Sequence, residues 1–153
     1  MKKTKISGFT LIELLIVMAI LAILLATTVI IIKPATQLAK ARDTQRESHL
    51  VAIVTIILQY SSEHGGALPD TDGDPATSNF PTDIICIGTD PSCFDLSSAG
   101  ESGDTIVPIY TSSIPYDPKG GDDGNTQYLI GVDANNRLTA SASGETRTII
   151  LTR

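Results

Sequence analysis

One stretch limits this chain more than any other. The 24 residues from Phe9 to Ile32, FTLIELLIVMAILAILLATTVIII, carry one charge, Glu13. Thr10, Thr27 and Thr28 are the other polar members. As a helix rising ~1.5 Å per residue the run is about 36 Å long, enough to cross a hydrocarbon layer of about 30 Å. A cleaved secretory signal has a shorter apolar core followed by a small-x-small cut site. Here the core is longer and leads into IIKPATQLAK, so the segment is expected to stay as an anchor. Glu13 is the difficulty, because a carboxylate at the centre of a bilayer costs about 2.5–3.5 kcal/mol on insertion scales. Two explanations stand: Glu13 sits at the end of the span among lipid headgroups, or it meets a partner charge inside an assembly.

The segments around the span differ in charge. Residues 1–64 hold seven Lys/Arg and four Asp/Glu, a sum of +3; residues 65–153 hold four and thirteen, a sum of −9. The acidic outer part repels nucleic-acid backbones, and no nucleic-acid partner is predicted. Lys2, Lys3 and Lys5 precede the span, and Lys33, Lys40, Arg42 and Arg46 follow it. The positive-inside rule is therefore nearly balanced.

Beyond Lys33-Pro34, Leu38, Ala41, Leu50, Ile53, Val54, Ile57 and Leu58 recur at spacings of three and four. That spacing predicts an amphipathic helix with Lys40, Arg42, Asp43, Arg46 and Glu47 on its other faces. Pro34 either kinks the helix or starts a new one, and Gly65-Gly66 ends it. If continuous, Phe9 to His64 would be a rod of about 84 Å. The expected division is 1–8 as a leader, 9–32 as the membrane helix, 33–64 as its amphipathic continuation and 65–153 as a globular part. In that part DIICI reads as a short strand or turn, and TIVPIY as an edge strand because of Pro108. TQYLIGV and RLTASA read as a hairpin around DANN, and TRTIILT as a last strand. The expected fold class is α+β, a long N-terminal helix packed on a small antiparallel sheet.

Cys86 and Cys93, the only cysteines, flank a short loop, CIGTDPSC. They form a disulfide in an oxidising compartment, or remain two thiols, one of them buried. Two cysteines with no nearby histidine do not complete a zinc site. The acids Asp70, Asp72 and Asp74 resemble a calcium loop, but Pro75 and Pro81 stand where an EF-hand needs glycine and an acid. His49 and His64 are expected as surface residues. No nucleophile elbow, zinc motif or phosphate loop is present. The expectation is no enzyme, no cofactor and no metal.

Cutting between Gly8 and Phe9 would create a new α-amine four residues before Glu13. In a staggered stack of like helices, the carboxylate of one chain could meet the amine of the next. The residues KISGFTLIELLIVMAILAILL resemble the leader and start of type IV prepilins and type II secretion pseudopilins. The shared features are a short basic leader, Gly8 before the cut, Phe9 after it, the TLIE containing Glu13, and an unbroken apolar helix. IIKPATQLAKARDTQRESHLVAI and SIPYDPKGG with TQYLIGVDANNRLTASA resemble the helix and hairpin of that group. The family often has proline where this chain has Ile30.

The resemblance implies a pilin-like fold and a structural subunit of a type IV pilus or pilus-like filament, or a secretion pseudopilin. It implies cleavage by prepilin peptidase after Gly8, N-methylation of Phe9 and a role for Glu13 in assembly. Implied partners are other pilin-like subunits in a homo- or hetero-oligomeric filament, an inner-membrane platform and an ATPase. The precursor would be a single-pass cytoplasmic-membrane protein, and the assembled filament extracytoplasmic. Secretion pseudopilins bind calcium where this chain has Asp117, Asp122, Asp123 and Asn125; a solvated acidic turn with Gly120, Gly121 and Gly124 is the simpler expectation. A monomeric, signal-anchored surface binding module is the alternative from another class.

Overall fold

The computed structural model describes residues 8–74, 77–101 and 103–153. The leader residues ahead of Gly8, with Lys2, Lys3 and Lys5, lie outside the described residues, as does Pro75. The chain divides into two compact units at the Leu38–Ala39 junction.

In the first unit, helix α1 spans Leu11–Ile32. Thr10 caps it in an extended conformation, and none of its residues is buried. The helix is long and apolar enough to cross a membrane, by length and composition. An all-round apolar helix with none of its residues buried needs lipid or other helices as solvent. It ends at Lys33, whose backbone is left-handed (φ 49°, ψ 67°) and whose amide donates to the Val29 carbonyl at 3.4 Å. Helix α2, Pro34–Glu63, then begins. Proline suits a first helical position, where its missing N–H would have no partner.

The second unit, Ala39–Arg153, is built on the remainder of α2. Leu50, Ile53, Val54, Ile57 and Tyr60 are buried, a stripe at i, i+3, i+4, i+7 and i+10. Each aliphatic side chain so buried contributes roughly 1.5–3 kcal/mol. The stripe is shorter than expected: Leu38, Ala41 and Leu58 are exposed, while Asp43 and Arg46 are buried. Gly65 (φ 64°) and Gly66 (φ 100°) close the helix, the Gly66 amide donating to the Ser61 carbonyl at 2.8 Å. Only glycine enters such left-handed positions without strain.

The sheet comprises β1 (Ile85–Cys86), β2 (Tyr128–Val132), β3 (Leu138–Ser143) and β4 (Thr148–Thr152), in that spatial order and antiparallel throughout. Tyr128 pairs with Ala142, Ile130 with Ala140 and Val132 with Leu138. Tyr128, Ile130, Leu138, Ala140, Ala142 and Ile149 form one core with the α2 stripe. Alternate residues Leu129, Thr139, Ser141 and Ile150 face outward, as the period of two requires. The outer edge of β1 is closed by the disulfide loop: the Phe94 amide donates to the Cys86 carbonyl at 2.7 Å, and Ile87 bridges Phe94.

Ile106–Tyr110, expected as an edge strand, is a single wide helical turn containing a cis Val107–Pro108 bond. Pro108 has no amide to offer a sheet. The amides before it are used elsewhere: Ile106 donates to the Ala99 carbonyl and Val107 to the Ser97 carbonyl.

Candidate functional site

Gly8, Phe9 and Thr10 precede α1 in non-helical backbone, and Phe9 is 78 % exposed. Among the described residues, a Cβ added to Gly8 would meet nothing within 4 Å, so no close contact there demands glycine.

Thr10 and Glu13 form a reciprocal capping box. The Glu13 amide donates to Thr10 Oγ1 at 3.2 Å, while the Thr10 amide and hydroxyl each donate to Glu13 Oε2 at 2.9 Å. This arrangement satisfies helix-end donors that hydrocarbon would otherwise leave bare. It also places a negative charge at the positive end of the helix dipole. Part of the cost of burying Glu13 is therefore met inside its own chain. The motif Thr-x-x-Glu ahead of an apolar run is the sequence signal for this box. Both hydrogen bonds use Oε2; among the described residues no donor reaches Oε1.

A second cluster, unforeseen from the sequence, joins α2 to two turns of the globular unit. Arg46, 2 % exposed, makes a two-pronged pair with Asp117, Nε to Oδ2 at 2.5 Å and Nη2 to Oδ1 at 3.0 Å. Its Nη1 donates to Asp43 Oδ1 at 2.7 Å. Asp43 also accepts from the Glu145 amide, the Thr146 amide and the Thr146 hydroxyl. Glu145 in turn accepts from Arg42 and Lys119. Three cations and three carboxylates thus balance, as a buried ionic group requires. The Thr146 hydroxyl and the two turn amides hold the Asp43 carboxyl far below its ordinary value. The Arg46 guanidinium lowers Asp117 below its ordinary value, and Arg42 with Lys119 brings Glu145 down to about 2. Gly144 lets the turn close on this cluster, since a Cβ there would lie 2.1 Å from the Arg147 carbonyl oxygen and 2.8 Å from Asp43 Oδ1.

The histidines, expected on the surface, are half-buried structural groups instead. His49 Nδ1 lies 2.8 Å from the Tyr128 hydroxyl, and burial pushes that phenol up to about 12. His64 stacks on Tyr60 with centroids 3.9 Å apart and donates from Nδ1 to the Tyr60 carbonyl at 2.9 Å. The His49 contact is missed because it depends on a strand 79 residues along the chain, whereas His64 packs on a residue only four positions before it.

Cys86 and Cys93 are bonded, which staples the loop that closes β1. In the acidic turns, Asp72 accepts from the Asp74 amide and the Thr77 hydroxyl, and Asp122 from the Asn125 amide. Asp117 belongs to Arg46, not to a turn with Asp122 and Asp123. Among the described residues no group of three or more His, Cys, Asp or Glu is placed to hold a metal ion.

Residues 3–29 match the prokaryotic N-terminal methylation motif. The match and the apolar helix it covers fit the family of type IV pilins and pseudopilins, whose members are substrates of prepilin peptidase. That family is structural and non-enzymatic, and its motif fits a membrane-anchored precursor that assembles with other pilin-like subunits. No curated protein and no solved structure matches the chain.

Proposed function

We propose that this chain is a structural subunit of a type IV pilus or pilus-like filament. Prepilin peptidase cuts between Gly8 and Phe9 and methylates the new amine of Phe9. Helix α1 holds the precursor in the cytoplasmic membrane and afterwards packs in the filament core. Residues 65–153, with the outer part of α2, form the extracytoplasmic surface. Glu13 pairs with the Phe9 amine of the neighbouring subunit and so sets the step between subunits.

The observation that carries this proposal is the junction at Gly8. It is exposed, non-helical, and occupied by a glycine that no close contact among the described residues requires. A protease needs extended, reachable backbone, and a glycine without such a contact fits a narrow active-site cleft. Beside it, α1 offers an apolar surface with no buried residue, and Glu13 keeps one carboxylate oxygen unused among the described residues. Those features fit side-by-side helix packing with one charge contact per step. The bonded cysteines fit an oxidising, extracytoplasmic location.

The N-terminal mass of the chain taken from cells tests the proposal. A chain starting at Phe9 with one added methyl is the expected result. An intact Met1 start, in cells whose prepilin peptidase is active on other substrates, overturns it.

A further inference from the structure

The globular unit contains a half-open cavity of about 250 Å³. It is smaller than the pockets of roughly 300–1,000 Å³ that take drug-sized ligands. Its floor is apolar and reaches the core: Ile87 and Leu96 are each 1 % exposed, and Val107 and Ile114 complete it. Its polar rim includes two carboxylates, Asp95 and Asp123, and no Lys, Arg or His lines it.

Asp95 is held rigidly. Its Oδ1 accepts from the Ser97 amide (3.1 Å), the Ser97 hydroxyl (2.5 Å) and the Ser98 amide (3.4 Å). Its Oδ2 accepts only from the Ser98 hydroxyl, at 2.7 Å. These bonds outweigh the burial that would raise its pKa and keep the group ionised below its ordinary range. Among the described residues no cation pairs with it, in contrast to Asp43 and Asp117. Asp123 sends only its backbone carbonyl into the fold, accepting from Thr89; its carboxylate makes no hydrogen bond or ion pair among the described residues. Two acids on the rim of a cavity with an apolar floor favour a cation that can also cover that floor.

We propose that this cavity binds a primary ammonium on a short aliphatic stem, Asp95 and Asp123 holding the charge and Ile87, Leu96, Val107 and Ile114 the methylenes. The ammonium belongs either to a lysine side chain of a protein partner or to a free aliphatic diamine. The inference stands apart from the filament proposal.

The test is a titration of the full chain in detergent micelles, followed by the amide resonances of Gly88, Ser97 and Ile114. The probes are 1,5-diaminopentane, Nα-acetyl-lysine N-methylamide, pentylamine and, as the neutral control, 1-pentanol. All three amines are expected to shift these resonances while pentanol does not. Asp123→Asn and Asp95→Asn are each expected to weaken amine binding about tenfold, the scale of one charge-assisted hydrogen bond. The first alters a side chain with no role in the fold, and the second keeps an acceptor for Ser97 and Ser98. Binding of the capped lysine at least as tightly as the diamine assigns the site to a protein partner. A diamine binding clearly tighter than pentylamine and the capped lysine assigns it to a free ligand bridging both acids. Equal binding of pentanol, no response to any amine, or unchanged affinity in both variants overturns the proposal.

Discussion

The capping box separates two roles that a single alanine substitution at Glu13 would confuse. Glutamine at position 13 keeps an oxygen to accept from the Thr10 amide and hydroxyl, so the box survives. The negative charge does not. The converse variant, Thr10→Ala, loses the box and keeps the charge. Losing a cap costs a helix about 1 kcal/mol. Losing an ion pair costs more: two unit charges about 4 Å apart interact by about 4 kcal/mol at an effective dielectric constant of about 20. At 1.4 kcal/mol per tenfold, losing the ion pair weakens each subunit contact by roughly three orders of magnitude, against less than one for losing the cap. Glu13→Gln is therefore expected to abolish filaments while Thr10→Ala only thins them. Both variants should insert into the membrane and both should be cut after Gly8. The assay is sheared-filament yield against membrane-pool abundance, with the N-terminal mass recorded for each. Wild-type filament yield from Glu13→Gln, alongside a severe loss in Thr10→Ala, would refute the charge-pairing role and leave Glu13 as a helix cap.

Three further outcomes follow from the globular unit. Arg46→Ala strands Asp43 and Asp117 as buried charges and is expected to destabilise the unit by about 3–5 kcal/mol, read from the urea midpoint of the full chain in micelles. Asp43, Asp117 and Glu145 have folded pKa values below their ordinary 3.8, 3.8 and 4.5. Their stabilisation is therefore complete above pH 4.5 and is lost as the pH falls towards about 2, where Glu145 itself takes a proton. The thermal midpoint should accordingly drop between pH 7 and pH 3, and a flat profile would show that the cluster is not coupled to folding. Cys93→Ser opens a loop with a sequence separation of 7, which by loop entropy costs about 2.5 kcal/mol, again read from the urea midpoint.

The elements that could be foreseen are those governed by local pattern. The apolar run predicts α1, the spacing of Leu50, Ile53, Val54 and Ile57 predicts the buried face of α2, and alternation around DANN predicts β2 and β3. The loop there is five residues long, Asp133 to Arg137, rather than four. What escaped prediction depends on residues far apart in sequence. Arg46 reads as one charge among several on a helical surface because its partner Asp117 lies 71 residues away, and the turn that binds Asp43 lies over 100 away. Ile106–Tyr110 has the composition of a strand, yet its amides were claimed by residues 97–99. At the N-terminus the situation is reversed. The Thr10–Glu13 box was readable from four letters and was hidden by the stronger claim of the carboxylate in an apolar run.

Lys33 has a mechanical consequence. The Lys33 amide closes the last turn of α1 on Val29 and its carbonyl opens the first turn of α2 to Thr36 and Gln37, so tension along the backbone passes from one ladder to the other through the two dihedral angles of one residue. Bending and torsional compliance concentrate there, because a change in two dihedral angles at Lys33 breaks no turn of either helix. A chain under load yields first at that link while the helices on both sides stay intact.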